Sequence, residues 1–416
     1  MKTNRVLMLV MLAIIFCCCT AEDDGNHKKM VPIERVDINL THEQESFVIR
    51  GNSFAHNTFA ELANREKGSF MISPLSIEYV LSIICNGAKG DTQAEILNVL
   101  GYSEEELDDL NKYYFYLANA LYKVDNTMGF RLANALALNS CLSRFKDEFV
   151  GSVSTYYTAY FKAFDFEIEN AEAVSTINSW AAGQTNGMID NLLQELSPAA
   201  TLVIMNAVWF KGAWSASLDF NTKNSKTDSF YKDDGSKEQI QYMNLTAIGE
   251  YAENEVFKSV RLPYGNGAFA MDVILPLPGK TVVSTCDYLT SKGMPRFYNI
   301  KVEMKIPKFG MDGEIQLKEV LEALGVKKIF TENADLSGML CENNQVSGVF
   351  QHSNIRIDEE GTEAAAVTVA ECMGGAVAGT PSPEVVKEFY ATRPFVYLIR
   401  ETSTGKVLFA GVFRGE

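Results

Sequence analysis

An α+β fold in one large domain is what this sequence predicts. Three observations carry it: helical periodicity dominates the first half, strand alternation dominates the second, and no β-α repeat or polar linker interrupts residues 45 to 416. The first helix starts near residue 43, where Phe47, Phe54, Thr58, Phe59 and Leu62 fall on one stripe. Leu317, Val320, Leu321 and Leu324 form another stripe, closed by Gly325 as a C-cap. Among the strands, Phe269, Met271, Val273 and Leu275 alternate, and the run stops at Pro276 and Pro278. Val396 to Arg400 and Val407 to Phe413 flank a turn around Ser403, Thr404 and Gly405, which reads as a C-terminal hairpin.

The chain has 416 residues, 47% of them hydrophobic, ample for a large core. Length alone would divide it into about two or three domains. A net charge of −16 argues against holding DNA, RNA or an anionic membrane through bulk electrostatics. The acids are scattered, as on a solvated surface, so partners must be read from local features.

The first twenty residues differ in kind. Lys2 and Arg5 precede the apolar run Val6 to Phe16, followed by Cys17, Cys18 and Cys19. A short basic start and an apolar stretch too short to span a membrane read as an export signal over residues 1–19. The cysteines resemble the lipid-attachment pattern of bacterial lipoproteins, with Cys18 the candidate and Cys17 or Cys19 as alternatives. Residues 20–42 then read as a tether that includes Glu22, Asp23 and Asp24. The expected location is the cell surface or periplasm, with plain secretion as the alternative. The other five cysteines, Cys85, Cys141, Cys286, Cys341 and Cys372, are widely spaced and suggest neither a disulfide framework nor a metal site.

Catalytic motifs are missing. Of four histidines only His56 and His352 lie in the folded part, there is no G-x-S-x-G elbow, and no H-E-x-x-H or dinucleotide fingerprint occurs. Gly279, Lys280 and Thr281 imitate the end of a phosphate loop, but Ile274 stands where its first glycine belongs. Asp233, Asp234 and Gly235 read as a hairpin turn. No cofactor or metal is implied, and an enzyme is not the expected class.

One segment stands out. Residues 357 to 380 read IDEEGTEAAAVTVAECMGGAVAGT. One parity carries Thr362, Ala364, Ala366, Thr368, Ala370 and Cys372, all small; the other carries Glu363, Ala365, Val367, Val369 and Glu371. The segment can lie as a strand with its small side against a packed layer. It can equally sit exposed as a loop, or be a plain linker. A strand-competent loop that joins a core strand to the C-terminal hairpin suggests a conformational switch.

The residues Glu359, Glu360, Gly361, Thr362, Glu363, Ala364, Ala365 and Ala366 resemble the hinge of the reactive-centre loop of serpins, the serine protease inhibitor family. SPLSI at 73–77, GAKGDT at 87–92, INSWAAGQTNGMI at 177–189, NAVWFKGAW at 206–214, RLPYG at 261–265, KIPKF at 305–309 and ADLSGM at 334–339 follow in serpin order. RPFVYLIR at 393–400 and GKVLFAGVF at 405–413 complete the resemblance, which covers about residues 45 to 416.

That resemblance implies one domain, residues 43–416, with three β-sheets, eight or nine helices and an exposed reactive-centre loop at about 359–384. It implies an irreversible suicide-substrate inhibitor of serine endopeptidases. A protease cuts the loop, forms an acyl-enzyme, and is distorted when the loop inserts as a new strand of the central sheet. The alternatives are a non-inhibitory serpin that acts as a binding protein and a cross-class inhibitor of cysteine proteases. In the inserting hinge the inward residues Thr362, Ala364 and Ala366 are small and uncharged, as inhibition demands, so Thr362→Arg should block insertion while Glu363→Arg, on the outward parity, should be tolerated. The family spacing of about sixteen residues from Glu359 puts the reactive bond between Gly375 and Ala376, with Met373, Val377 or Ala378 as alternatives. None is Lys or Arg, which points to elastase-like or subtilisin-like targets. Ser73, Asn206 and Gln351 match a network that holds the central strands; Gln351 stands where many serpins have histidine. A stretch with Glu104, Glu105, Glu106, Asp108 and Asp109 occupies the place of the basic helix of heparin-binding serpins, so no heparin-type activator is expected. The implied partner is a target serine protease held covalently by a monomer, with membrane contact through the lipid anchor only and no nucleic acid.

Overall fold

Thr41 opens the first helix, α1 (His42–Arg65), through a capping box: its hydroxyl accepts from the Gln44 N–H and the Gln44 side chain accepts from the Thr41 N–H. The structure is a computed structural model that describes residues 32–342, 344–362 and 385–415. Cys17, Cys18, Cys19, the hinge residues Glu363, Ala364, Ala365 and Ala366, and Met373, Gly375, Ala376, Val377 and Ala378 lie outside the described residues. The stretch before α1, which the sequence assigns to a tether, lies against the body from Ile33 onward. The Ile33 N–H donates to Asn126 Oδ1, Arg35 donates to the Gly267 carbonyl, and Ile38 is buried with its N–H on Ser403 Oγ.

After β1 (Phe70–Ile72), Ser73 and Pro74 start α2 (Pro74–Gly87), with the Ser73 hydroxyl as cap and proline where its missing N–H costs nothing. There follow α3 (Gly90–Leu100), α4 (Leu107–Leu121), β2 (Gly129–Asn139), α5 (Asp147–Tyr156), β3 (Ala159–Phe164), α6 (Asn170–Gln184) and β4 (Leu202–Ala213). The second half is strand-rich: β5 (Lys226–Tyr231), β6 (Lys237–Glu253), β7 (Phe257–Tyr264), β8 (Phe269–Pro276), α7 (Val282–Lys292), β9 (Tyr298–Pro307) and β10 (Phe309–Gln316). The chain closes with α8 (Lys318–Leu324), β11 (Val346–Asp358), β12 (Gly361–Thr362), β13 (Val386–Tyr390), β14 (Phe395–Glu401) and β15 (Val407–Phe413). The eight α-helices among the described residues and the mixed sheets give the α+β class, and the described residues cluster as one compact unit.

The resemblance implies three sheets; among the described residues, continuous hydrogen bonding joins them into two networks. Nine strands run β1-β15-β14-β8-β7-β6-β9-β13, with β5 also on β6. The join is β6: its first part pairs with β5, its middle with β9 and its end with β7. Asp233 to Gly235 form the β5–β6 turn, with Gly235 at φ 81°. The alternation in β8 understates its burial: all of Phe269–Pro276 is buried, because the strand is central between β7 and β14 and both faces are covered.

The six-stranded sheet runs β10-β11-β12-β4-β2-β3 and holds the site. Behind it lies the main core, to which α1 contributes Phe47, Phe54, Phe59 and Leu62 from the predicted stripe. In front, α6 lays Ala173, Ile177 and Ala181 on Ala133, Ala135 and Ala137 of β2 and Val203, Met205 and Ala207 of β4. Small residues on both surfaces let helix and sheet approach closely.

Candidate functional site

The site is the seam between β4 and β11. The two strands are parallel and pair directly from Leu202–Val346 up to Trp209–Asn354. Above that rung the chain leaves β11, turns at Glu359–Glu360 and comes back as β12, antiparallel to both neighbours. Thr362 lies opposite Ile357 on one side and Gly212 on the other. The seam is thus wedged open at its top and closed below.

The turn is held from several directions. Gly361 sits at φ 136°, and a Cβ there would lie 2.1 Å from the Gly212 carbonyl oxygen, so only glycine fits. The Trp214 indole N–H donates to the Asp358 carbonyl at 2.9 Å, and the Trp214 backbone N–H donates to the Glu360 carbonyl at 3.0 Å. Glu359 meets the Lys308 ammonium at 2.7 Å and accepts from the Ser225 hydroxyl. Burial raises the pKa of its carboxyl, but Lys308 and Ser225 outweigh that and hold it below the usual range.

Thr362 is completely buried, its hydroxyl 2.7 Å from that of Tyr264. Burial pushes the Tyr264 phenol well up, so it stays neutral. The Tyr264 ring stacks on Trp214 with centroids 4.6 Å apart. The sequence treats Thr362 as the first side chain still to be inserted; here it already occupies its place between β4 and β11.

Midway down the seam Gln351 lies opposite Asn206. Its Nε2 donates to Asn206 Oδ1 at 3.0 Å and to the Ser73 carbonyl at 3.1 Å, and its Oε1 accepts from the Ser73 N–H at 2.7 Å. Asn206 Nδ2 donates onward to Asn134 Oδ1 on β2 at 2.7 Å. Gln351 therefore reads the backbone of Ser73, while the Ser73 hydroxyl caps α2 and donates to the Leu408 carbonyl on β15. Four strands and a helix start are tied at one buried point.

Sequence reasoning placed Ser73, Asn206 and Gln351 in this network and Glu359, Gly361 and Thr362 at the hinge. It missed Tyr264, Trp214, Lys308 and Ser225. The first three sit in the motifs RLPYG, NAVWFKGAW and KIPKF, so the signal was present without a role attached. The acids from Glu104 to Asp109 gather at the start of α4, where Glu106 pairs with Arg50, and Asp108 and Asp109 pair with Lys112. The two body histidines are far apart in role: His352 bonds to Asp312, and His56 Nε2 is buried without a hydrogen-bond partner.

The family model described as serpin (serine protease inhibitor) matches residues 50–414. This chain belongs to the serpin family. Among curated relatives it is 30% identical to iripin-8 of Ixodes ricinus, with 86% of this chain and 91% of the relative aligned. It is 31% identical to an uncharacterised serpin-like protein of Thermococcus kodakarensis, with 92% and 88% aligned. Among solved structures, the thermophilic serpin tengpin in its native state superposes with a TM-score of 0.80 at 26% identity, covering 92% of this chain and 98% of tengpin. Arabidopsis AtSerpin1, in a native stressed conformation, gives 0.78 at 27%, covering 91% and 99%. Thyroxine-binding globulin, solved with thyroxine, gives 0.75 at 23% and attests the fold alone. Serpins are mostly protease inhibitors rather than enzymes.

Proposed function

We propose that this serpin is an irreversible, suicide-substrate inhibitor of elastase-like or subtilisin-like serine endopeptidases, acting by cleavage and insertion of residues 359–384. The observation that supports it is the seam. Thr362 marks the register in which the cut loop would continue, and the residues that follow on its buried parity, Ala364, Ala366, Thr368, Ala370 and Cys372, are small enough to enter a packed interior. From the Trp209–Asn354 rung downward, each rung gained by the loop unzips one direct β4–β11 rung and replaces it with two ladders, so backbone pairing grows as insertion advances.

The same register supports a reactive bond near the position that the family spacing gives. Gly212 lies ten positions above Leu202 on β4, so an inserted strand that starts at Thr362 reaches the foot of the seam at Cys372. The bond then lies beyond Cys372, which accommodates Gly375–Ala376 and the alternatives Met373, Val377 and Ala378. The binding-protein reading has one observation in its favour, the likeness to thyroxine-binding globulin, which is a likeness of fold. We further propose a monomer exported and anchored through Cys18, Cys17 or Cys19, with no polyanion activator.

Incubation with elastase, subtilisin, trypsin and a papain-like protease tests this. A covalent complex with elastase or subtilisin that survives SDS supports the proposal. Cutting without a complex favours the binding-protein alternative, a papain-type complex the cross-class one, and rapid trapping of trypsin would show that the bait is misplaced.

A further inference from the structure

The first rung below Thr362 carries a charge arrangement that nothing above explains. Thr362 lies opposite Ile357 and Gly212. One step down each strand are Arg356 on β11 and Lys211 on β4. Ile357, Gly212 and Thr362 are buried, whereas Arg356 and Lys211 are exposed and point to the other face of the sheet. The outer neighbours of this rung are both glycines: Gly310 of β10 lies opposite Arg356, and Gly129 of β2 lies opposite Lys211. Neither cation has a cross-strand side chain to pair with, and neither forms a salt bridge among the described residues. The next residue on Arg356's face of β11, Asp358, has its carboxylate engaged by the Glu360 N–H. Two like charges face each other across the part of the seam that direct β4–β11 pairing leaves unzipped, since that pairing stops at Trp209–Asn354.

We infer that Lys211 and Arg356 form a receiving rung for the carboxylate of Glu363, the first residue to enter after Thr362. The inference rests on loop insertion as proposed above. Continuing the antiparallel register, Glu363 comes to lie between Lys211 and Arg356 on the exposed face, with side chains about 5 Å apart at Cβ on either side. The mutual repulsion of the cations favours an open rung before cleavage, and the incoming carboxylate neutralises it afterwards. Insertion competes with hydrolysis of the acyl-enzyme, so a faster first step raises the fraction of encounters that end in trapping. Parity alone predicts that Glu363→Arg is harmless. The receiving rung reverses that expectation, because a third cation would enter between two. These are positioning residues: they touch neither the protease nor the reacting bond.

The test is the number of inhibitor molecules consumed per protease inactivated, measured with the full mature chain at low and at high salt. Lys211→Glu with Arg356→Glu should raise it about threefold or more at low salt and less at high salt, as for exposed ion pairs. Glu363→Lys, on the loop itself, should do the same independently. Combining all three restores the opposite-charge rung and should return the value toward wild type, as should Lys211→Arg with Arg356→Lys. A triple variant no better than the double, or a double variant equal to wild type, overturns the receiving rung. Failure of the underlying reading looks different. If loop cleavage does not raise the melting temperature of the wild-type protein, the loop does not insert. If it does rise and the charge variants trap as well as wild type, only the rung is wrong.

Discussion

Gln351 satisfies three buried partners with one neutral amide. Gln351→Leu would leave the Ser73 N–H and Asn206 Oδ1 desolvated without partners, at a cost of about 2–4 kcal/mol. A lowered melting temperature and earlier loss of inhibitory activity on warming are the expected readouts. Gln351→His would instead place a titratable ring in the seam, so the rate of activity loss on warming should become pH-dependent between about pH 5 and 7, where the wild-type position has nothing to titrate. At this scale the sequence was legible where motif residues meet directly, as Ser73, Asn206 and Gln351 do. It was not legible for Tyr264, whose role depends on the hydroxyl of a residue 98 positions away. Periodicity carries no information about such a meeting.

At the scale of the element, β12 is two residues long and fixes the register of everything after it. Because Thr362 is already inside, Thr362→Arg acts before any protease arrives. It must either bury a charge or leave the seam, and either outcome removes the Tyr264 hydrogen bond. Its uncut form should melt at a lower temperature, and its loop should be cut without trapping. Ala364→Arg affects only the next rungs. It should leave the uncut melting temperature near wild type and still convert the inhibitor into a turned-over substrate. Equal uncut stability of the two variants would mean that Thr362 is not seated in the seam. In the hinge, the inward side of Thr362 was readable because small and large residues alternate from it, while the hinge residues after Thr362 lie outside the described ones. Its depth of insertion was not, since alternation fixes which side faces inward but leaves open how far the strand has travelled. The same limit explains β8, where an alternating pattern proved buried on both faces once β7 and β14 flanked it.

Across the whole molecule, acid should weaken the uncut state through His56. Burial, with Arg400 and Lys406 adding positive charge nearby, lowers its pKa from 6.5 to about 4. The unfolded chain therefore takes up a proton below pH 6.5 that the folded chain refuses. Stability is full above that value and falls as pH drops toward 4, by about 3 kcal/mol if this group acts alone. Melting temperatures at pH 7.5, 6 and 5 should decline in that order, and His56→Phe should flatten the decline; an unchanged slope would assign the effect to other groups. Lys406, one of those neighbours, is itself completely buried against Glu78 at 2.7 Å. Lys406→Ala would strand that carboxylate at a cost of about 3–5 kcal/mol. The seam also has a bearing on supply. If the cut loop inserts as proposed, the gap between β4 and β11 takes one antiparallel strand and is filled once. An inhibitor of that kind would be a consumable. The protection it gave would depend on how many copies were in place when the attack came, and its replacement would be set by the rate of synthesis.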